Sequence, residues 1–399
     1  MASRSFVQTP FNMAAKTKKN KSQKLSGKTI VQILPALNHG GVERGTVEMA
    51  EAIINAGGRA VVISTGGLLE SKLARLGAEH IKLSVHSKNP FKILSNRRNL
   101  KTLLASIRPD IVHIRSRAPA WSGLSVAKKL GIPVVTTIHG RFTATSFFKR
   151  IYNSIMIKSD HIIAISHYVE NLVRQQFPQA ASRMSVIHRG VDIDLFNPQA
   201  VSPHRVINMS DKLVIPDDVS VVMLPARPTA WKGMSVLIDA MGFIKDENFI
   251  LLLVGAGDGS QEFQNELIKK IKRADLMEKA RLTPSISDMP AGLMLADVVV
   301  MPSTTPEPFG RVAVEASAMG CPVVAFNHGG AVESIVHGVT GWLAEPVDAQ
   351  SLSEAILIAL NLKKRGRQKL ALEARNYVEE KFTSDLMCKS TIDIYNKLI

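Results

Sequence analysis

Pro302-Ser-Thr-Thr-Pro-Glu307-Pro-Phe-Gly310-Arg-Val-Ala-Val-Glu315-Ala316 decides the reading of this 399-residue chain. The apolar, β-branched run Val298–Met301 just before it reads as a short buried strand. Polar residues and prolines then break the chain, and from Gly310 the spacing is that of a helix. Glu307 therefore sits in the loop beyond a strand end, and Glu315 about a turn and a half inside the next helix. One carboxylate can receive hydroxyls at the mouth of a cleft. The other, deeper on the same element, can accept two vicinal ribose hydroxyls. The amides of Phe309 and Gly310 at the helix start can hold further sugar oxygens. Two such carboxylates taken alone are better read as a helix-capping or surface pair.

Outward from this loop the same strand–loop–helix unit recurs. Apolar runs lie at Thr29–Leu34, Ala60–Ser64, His80–Ser84, Asp110–Ile114, Pro133–Ile138 and His161–Ile165, then at Val219–Leu224, Phe249–Val254 and Pro322–Phe326. Helical spacing fills most of the gaps, as in Val42–Ala56, Phe91–Ile107 and Ala118–Leu130. This alternation predicts parallel sheets covered on both faces. The rhythm breaks near 188–218, where Pro198, Pro203 and Pro216 stand among polar residues. The expected organisation is α/β, with doubly wound domains at 28–195 and 219–383, a linker at 196–218 and a ligand cleft between the domains. Residues 384–399 are expected to form a helix.

Composition supports a large core, with 45% hydrophobic and 21% charged residues. Cys321 and Cys388 lack any partner spacing, which predicts neither a disulfide nor a zinc site and makes a reducing cytoplasm the expected compartment. No apolar run reaches the roughly 18 residues of a spanning helix. The first 27 residues are expected to be a disordered basic tail without the apolar segment of a secretory signal, compatible with a start at Met13. Net charge is +16 and one-sided: residues 1–200 hold 29 Lys and Arg against 10 Asp and Glu, and residues 201–399 hold 21 against 24. A field of +19 on one half suits a polyanionic partner, whether anionic membrane, phosphorylated glycolipid or nucleic acid.

Four other segments carry possible chemistry. Asn38-His-Gly-Gly-Val42 follows the first strand, and Gly40 and Gly41 would let a phosphate approach the helix start, although a plain tight turn fits equally. Arg227-Pro-Thr-Ala-Trp-Lys232 follows the first strand of the second domain, where an arginine and a lysine can neutralise a diphosphate; a solvated basic loop is the alternative. Gly255-Ala-Gly-Asp-Gly259 is out of register with a dinucleotide fingerprint and reads as a structural turn. Asp192-Ile-Asp194 reads as a cap or turn rather than a metal site.

Taken in order, these segments resemble the GT-B glycosyltransferases of family 4, also called group 1. The most specific element is the E-x7-E pattern of Glu307 and Glu315, followed by Ala318-Met-Gly-Cys-Pro-Val-Val-Ala325 and Gly338-Val-Thr-Gly341. Gly40-Gly41, Gly190-Val-Asp192 and Arg227…Lys232 agree with it. The resemblance spans Lys28 to the C-terminus and implies two Rossmann-like domains facing a central cleft, with 384–399 crossing back to the first. It also implies roles: Arg227 and Lys232 on the donor diphosphate, Gly40 and Gly41 near the same phosphates, and Glu307 with Phe309 and Gly310 on the sugar. Glu315 would take the ribose, the Ile286 backbone the base, and His139 the sugar. The implied reaction retains anomeric configuration and needs no metal and no cofactor beyond a UDP- or GDP-sugar donor. Arg311 departs from the apolar residue often found after that glycine.

In this fold the first domain usually binds the acceptor, and here it carries the positive charge, including Lys92, Arg97, Arg98, Lys101 and Phe147-Phe-Lys-Arg150. The expectation is a peripheral enzyme on the cytoplasmic face of the inner membrane, glycosylating an envelope glycolipid or glycan such as a lipopolysaccharide core. Rival readings are a nucleotide-sugar epimerase or soluble oligosaccharide synthase of the same fold, a noncatalytic sugar binder, and a nucleic-acid binder. The last would need aromatics interleaved with the basic residues, so no nucleic-acid partner is expected.

Overall fold

The computed structural model describes residues 24–38, 40–143 and 146–399. The expected basic tail lies outside the described residues as far as residue 23. Its last part differs from expectation. Leu25 is fully buried in an apolar cluster with Ile30, Val47 and Ile53, and its amide donates to Ala56 O. One leucine among lysines carries little signal in a sequence, yet burying it anchors the chain ahead of the first strand.

Residues 24–190 together with 384–399 form one compact unit, and 191–383 form another. The first holds seven parallel strands: β1 (Thr29–Ile33), β2 (Arg59–Ser64), β3 (Glu79–Lys82), β4 (Ile111–Ile114), β5 (Val134–Ile138), β6 (His161–Ala164) and β7 (Met184–Val186). Their order is β3-β2-β1-β4-β5-β6-β7. The second holds β8 (Ser220–Pro225), β9 (Phe249–Val254), β10 (Ala280–Thr283), β11 (Val298–Met301), β12 (Val323–Phe326) and β13 (Gly341–Ala344), in the order β10-β9-β8-β11-β12-β13. Each order runs outward in both directions from a central pair, β1 with β4 and β8 with β11. Between those pairs the winding reverses, and there the strand ends leave a crevice. Helices cover both faces, so β4, β5, β9, β11 and β12 are buried along their whole length; β9, β11 and β12 read as unbroken apolar runs, while β4 carries His113 and β5 carries Thr136 and Thr137.

One aspartate device pins strand register three times. Asp110 Oδ2 accepts the Thr29 amide, Asp160 Oδ2 that of Val134, and Asp297 Oδ2 that of Val221, at 2.8–2.9 Å. Each aspartate stands one residue before its own strand and satisfies an amide at the start of a neighbour.

The stretch expected as a linker, 196–218, belongs to the second unit and contains the helix Pro203–Leu213. Pro203 occupies the first turn, where a missing N–H costs nothing, and Val206, Met209 and Leu213 form its buried stripe. Arg205 ties it down with a bidentate pair to Asp288, at 2.8 and 2.7 Å. Two of the three prolines that suggested a linker, Pro198 and Pro203, are helix starts. The boundary between units accordingly falls at 190 and not at 195.

The helix Ser384–Leu398 packs in the first unit. Tyr395 is fully buried, and its hydroxyl meets His113 Nδ1 at 2.6 Å while Thr137 Oγ1 meets Nε2 at 2.6 Å. Tyr395→Phe strands one nitrogen of a buried imidazole. A loss of about 1–3 kcal/mol in urea unfolding is expected, and an unchanged midpoint would show that the bond contributes nothing.

Candidate active site

In the second unit the loops leaving β8 and β11 meet. Thr304 N donates to Trp231 O at 2.9 Å, joining the two loops across the central strand pair. Lys232 Nζ lies 2.6 Å from Glu307 Oε1 and 4.5 Å from the centroid of the Trp231 ring. Ser303 Oγ donates to the same carboxylate oxygen at 2.5 Å, and His328 Nε2 meets Ser303 O at 2.8 Å. Glu307 is only 7% exposed, so this ammonium and hydroxyl carry the charge that water would otherwise solvate. Arg227 stands five residues before Lys232, exposed and without an ion-pair partner among the described residues.

The 306–309 loop is clamped from behind by Gly329 and Gly330. A Cβ on Gly329 would lie 2.6 Å from Glu307 O, and one on Gly330 2.5 Å from Phe309 Cα; Gly330 N donates to Glu307 O at 2.7 Å. Only glycine permits this approach. Gly310 caps the helix Arg311–Ala318. Phe309 is buried, its ring 5.6 Å from that of Phe382. Glu315 is buried on that helix with Oε1 2.9 Å from Arg311 Nε, so the unusual Arg311 serves as its cationic neighbour. Ile286 is half-buried with its side chain over Gly292, on the helix Met289–Leu295.

The first unit holds a cavity of about 460 Å³ at the ends of β1, β4 and β5, lined among others by Glu43, Lys88, Arg115, Arg117, His139 and Tyr152. Both ring nitrogens of His139 are buried without a hydrogen-bond partner, and so is Arg115 Nε. Burial pushes His139 well below the usual histidine range, helped by Arg115, Arg189 and His113. Burial does the same to His113, helped by Arg115. Gly40 precedes the helix Gly41–Asn55, and the Arg189 guanidinium donates to Gly41 O.

Both imidazoles are thus neutral in the folded chain, whereas the unfolded chain takes up their protons near pH 6.5. Their contribution to stability is complete above that value and is lost as pH falls below it, by up to about 1.4 kcal/mol per pH unit for each. Urea unfolding at pH 7.5 and 5.5 measures the slope, and His139→Gln should reduce it. An unaltered slope would remove His139 from the account.

The structure therefore brings Lys232, Glu307, Phe309 and Gly310 onto adjoining loops of one unit, with Glu315 on the helix that follows and Arg227 and Ile286 on the same unit. Gly40, Gly41 and His139 belong to the other. Asp192 Oδ1 accepts the amides of Asp194 and Leu195 at 3.0 and 3.1 Å, the work of a turn cap. Asp258, in the glycine turn after β9, accepts Ser285 N at 2.8 Å in a structural role. Sequence reasoning missed Ser303, His328, Gly329 and Gly330, and the cavity's Lys88, Arg115 and Arg117. One signal was present, because Asn-His-Gly-Gly occurs at 38–41 and again at 327–330.

Two all-parallel, doubly wound units in one chain, with polar loops at both winding reversals, define the GT-B class of glycosyltransferases. Residues 206–377 match the family of glycosyl transferases group 1 and residues 39–195 match glycosyltransferase family 4; the chain belongs to this family. A glycosyltransferase from Rickettsia africae ESF-5 is 35% identical, with a TM-score of 0.86 over 93% of this chain and 98% of that one. The Anabaena protein Alr3699/HepE, solved in complex with UDP-glucose, shares the fold at 23% identity and a TM-score of 0.78, over 92% of this chain and 99% of that one. The amylovoran biosynthesis glycosyltransferase AmsK of Erwinia amylovora is 27% identical over 84% of this chain and 79% of its own. No helix among the described residues is long and apolar enough to cross a membrane.

Proposed function

We propose that the chain transfers a hexosyl group from a UDP- or GDP-sugar to an envelope glycolipid or glycan such as a lipopolysaccharide core, retaining anomeric configuration and using no metal. The observation that carries this is the Lys232–Glu307 pair on the loop that also carries Arg227, which has no ion-pair partner among the described residues, at the reversal point of the second sheet. A guanidinium fork and an ammonium suit the two phosphates of a nucleoside diphosphate. Glu307 suits sugar hydroxyls and Glu315 the ribose. As the bond from anomeric carbon to phosphate oxygen breaks, negative charge grows on the diphosphate, and fixed cations lower that barrier. The acceptor hydroxyl attacks the same face and gives its proton to the departing phosphate oxygen. Screening UDP- and GDP-sugars for hydrolysis tests the donor, and mass analysis of the acceptor tests transfer. An acceptor whose mass never increases would favour an epimerase and end this reading.

The proposal extends to the cytoplasmic face of an anionic membrane. Phe91, Phe147 and Phe148 are 84%, 72% and 80% exposed. Lys92, Arg98 and Lys101 share the helix Pro90–Ile107 with Phe91, and Lys149 and Arg150 share the helix Phe147–Ser154 with the other two. Lys88, two residues before the first helix, reaches over the Tyr152 ring of the second at 5.6 Å. Exposed aromatics among cations suit an interface of acyl chains and anionic headgroups. Phe147→Ser with Phe148→Ser should weaken binding to phosphatidylglycerol vesicles at least tenfold, and high salt should weaken the wild type. Equal binding to neutral vesicles would sink the electrostatic half of this idea.

A further inference from the structure

We infer that the cavity of the first unit receives a phosphate group carried by the acceptor, so that the acceptor is a phosphorylated sugar or sugar lipid. This rests on the transferase reading and names the acceptor's chemistry. Lys88, Arg115 and Arg117 line the cavity, and none has an ion-pair partner among the described residues. Glu43 is the one lining carboxylate, so three cations stand against one anion and the surplus of two matches a phosphate monoester dianion.

The helix Arg117–Lys129 starts at the same wall. Its cap residue, Ser116, makes no side-chain capping bond, and its first amides lack partners within the helix. Arg117 donates to Arg141 O at 2.8 Å and lies 5.2 Å from the Phe142 ring centroid, which leaves the rest of its fork for a ligand. His139 is the independent sign that something polar belongs here. Its two buried ring nitrogens are unpartnered, and a neutral imidazole can give one hydrogen bond and accept another. A neutral sugar would leave the cations unanswered. A phosphate satisfies them and sets a hydroxyl of its sugar against His139.

A donor diphosphate has the same chemistry, so the test must separate the two sources. The whole chain is titrated calorimetrically with inorganic phosphate at constant ionic strength held with chloride, with and without saturating UDP. Phosphate should bind equally in both, Arg117→Gln should raise the half-saturating concentration at least tenfold, and Lys88→Gln about threefold. Lys232→Met should leave it unchanged. Arg117 also packs on Phe142, so Arg117→Gln is read only if its circular dichroism is native, and exposed Lys88 stands in otherwise. Phosphate binding that vanishes with UDP or with Lys232→Met assigns the phosphate to the donor and overturns the inference. Absence of binding, or indifference to both cavity variants, overturns it as well. The donor-hydrolysis screen reports separately on the transferase reading, so either can fail alone.

Discussion

Lys232→Met is expected to lower kcat by about 10²–10³-fold, the range for removing one fixed charge aimed at a transition-state anion. The same substitution leaves the Glu307 carboxylate, 7% exposed, with the Ser303 hydroxyl as its remaining side-chain donor among the described residues. Breaking a buried pair by removing one member typically costs about 3–5 kcal/mol, so loss of turnover alone cannot separate catalysis from folding. A double-mutant cycle does. Glu307→Gln keeps the size and removes the charge, so Lys232→Met with Glu307→Gln has no stranded ion and should recover most of the lost stability. Turnover should not recover, because the diphosphate still lacks its ammonium and the sugar its carboxylate. Measured by urea midpoints and by donor hydrolysis, stability should couple strongly and activity should not. If the double variant regained turnover, Lys232 would be only a counter-ion for Glu307.

How far this was legible in the sequence depends on what each residue faces. Central strands such as Val298–Met301 and Phe249–Val254 are covered on both sides and showed as unbroken apolar runs. The strands that went unread, Met184–Val186, Ala280–Thr283 and Gly341–Ala344, all lie at sheet edges. Edge strands are short and half-covered, and they carry polar residues such as Ser185 and Arg281, so their periodicity is weak. Pro203 misled because proline marks helix starts as readily as linkers.

The E-x7-E pattern was visible because its two carboxylates are close in sequence. The contact between Lys232 and Glu307 was not, since 75 residues separate them and only the order of β8 and β11 makes their loops neighbours. The cavity cations were hidden for the same reason: Lys88, Arg117 and His139 follow three different strands. The reversal rule that drew attention to Arg227 applies equally to Arg115-Ser-Arg117, just beyond β4, and would have found it.

Gly233→Ala is expected to be the most damaging change that touches no charge. Gly233 sits between Lys232 and the helix Met234–Phe243 with φ at +77°, and a Cβ there would overlap the Pro302 carbonyl oxygen. Two costs are therefore stacked. The left-handed conformation costs an ordinary residue about 1–2 kcal/mol. The overlap with backbone cannot be relieved by rotating a side chain, so the β8 and β11 loops must part. Gly131→Ala isolates the first cost, because Gly131 has φ at +71° and nothing within 4 Å of its would-be Cβ. Gly131→Ala should lower stability by about 1–2 kcal/mol and Gly233→Ala by about 2–4 kcal/mol. Gly233→Asn tells which cost dominates, since asparagine tolerates positive φ but brings the same Cβ. Asparagine should be no better than alanine, and both should cut turnover by carrying Lys232 away from Glu307. Rescue by asparagine would mean that the backbone angle alone matters and that the Pro302 contact yields without cost.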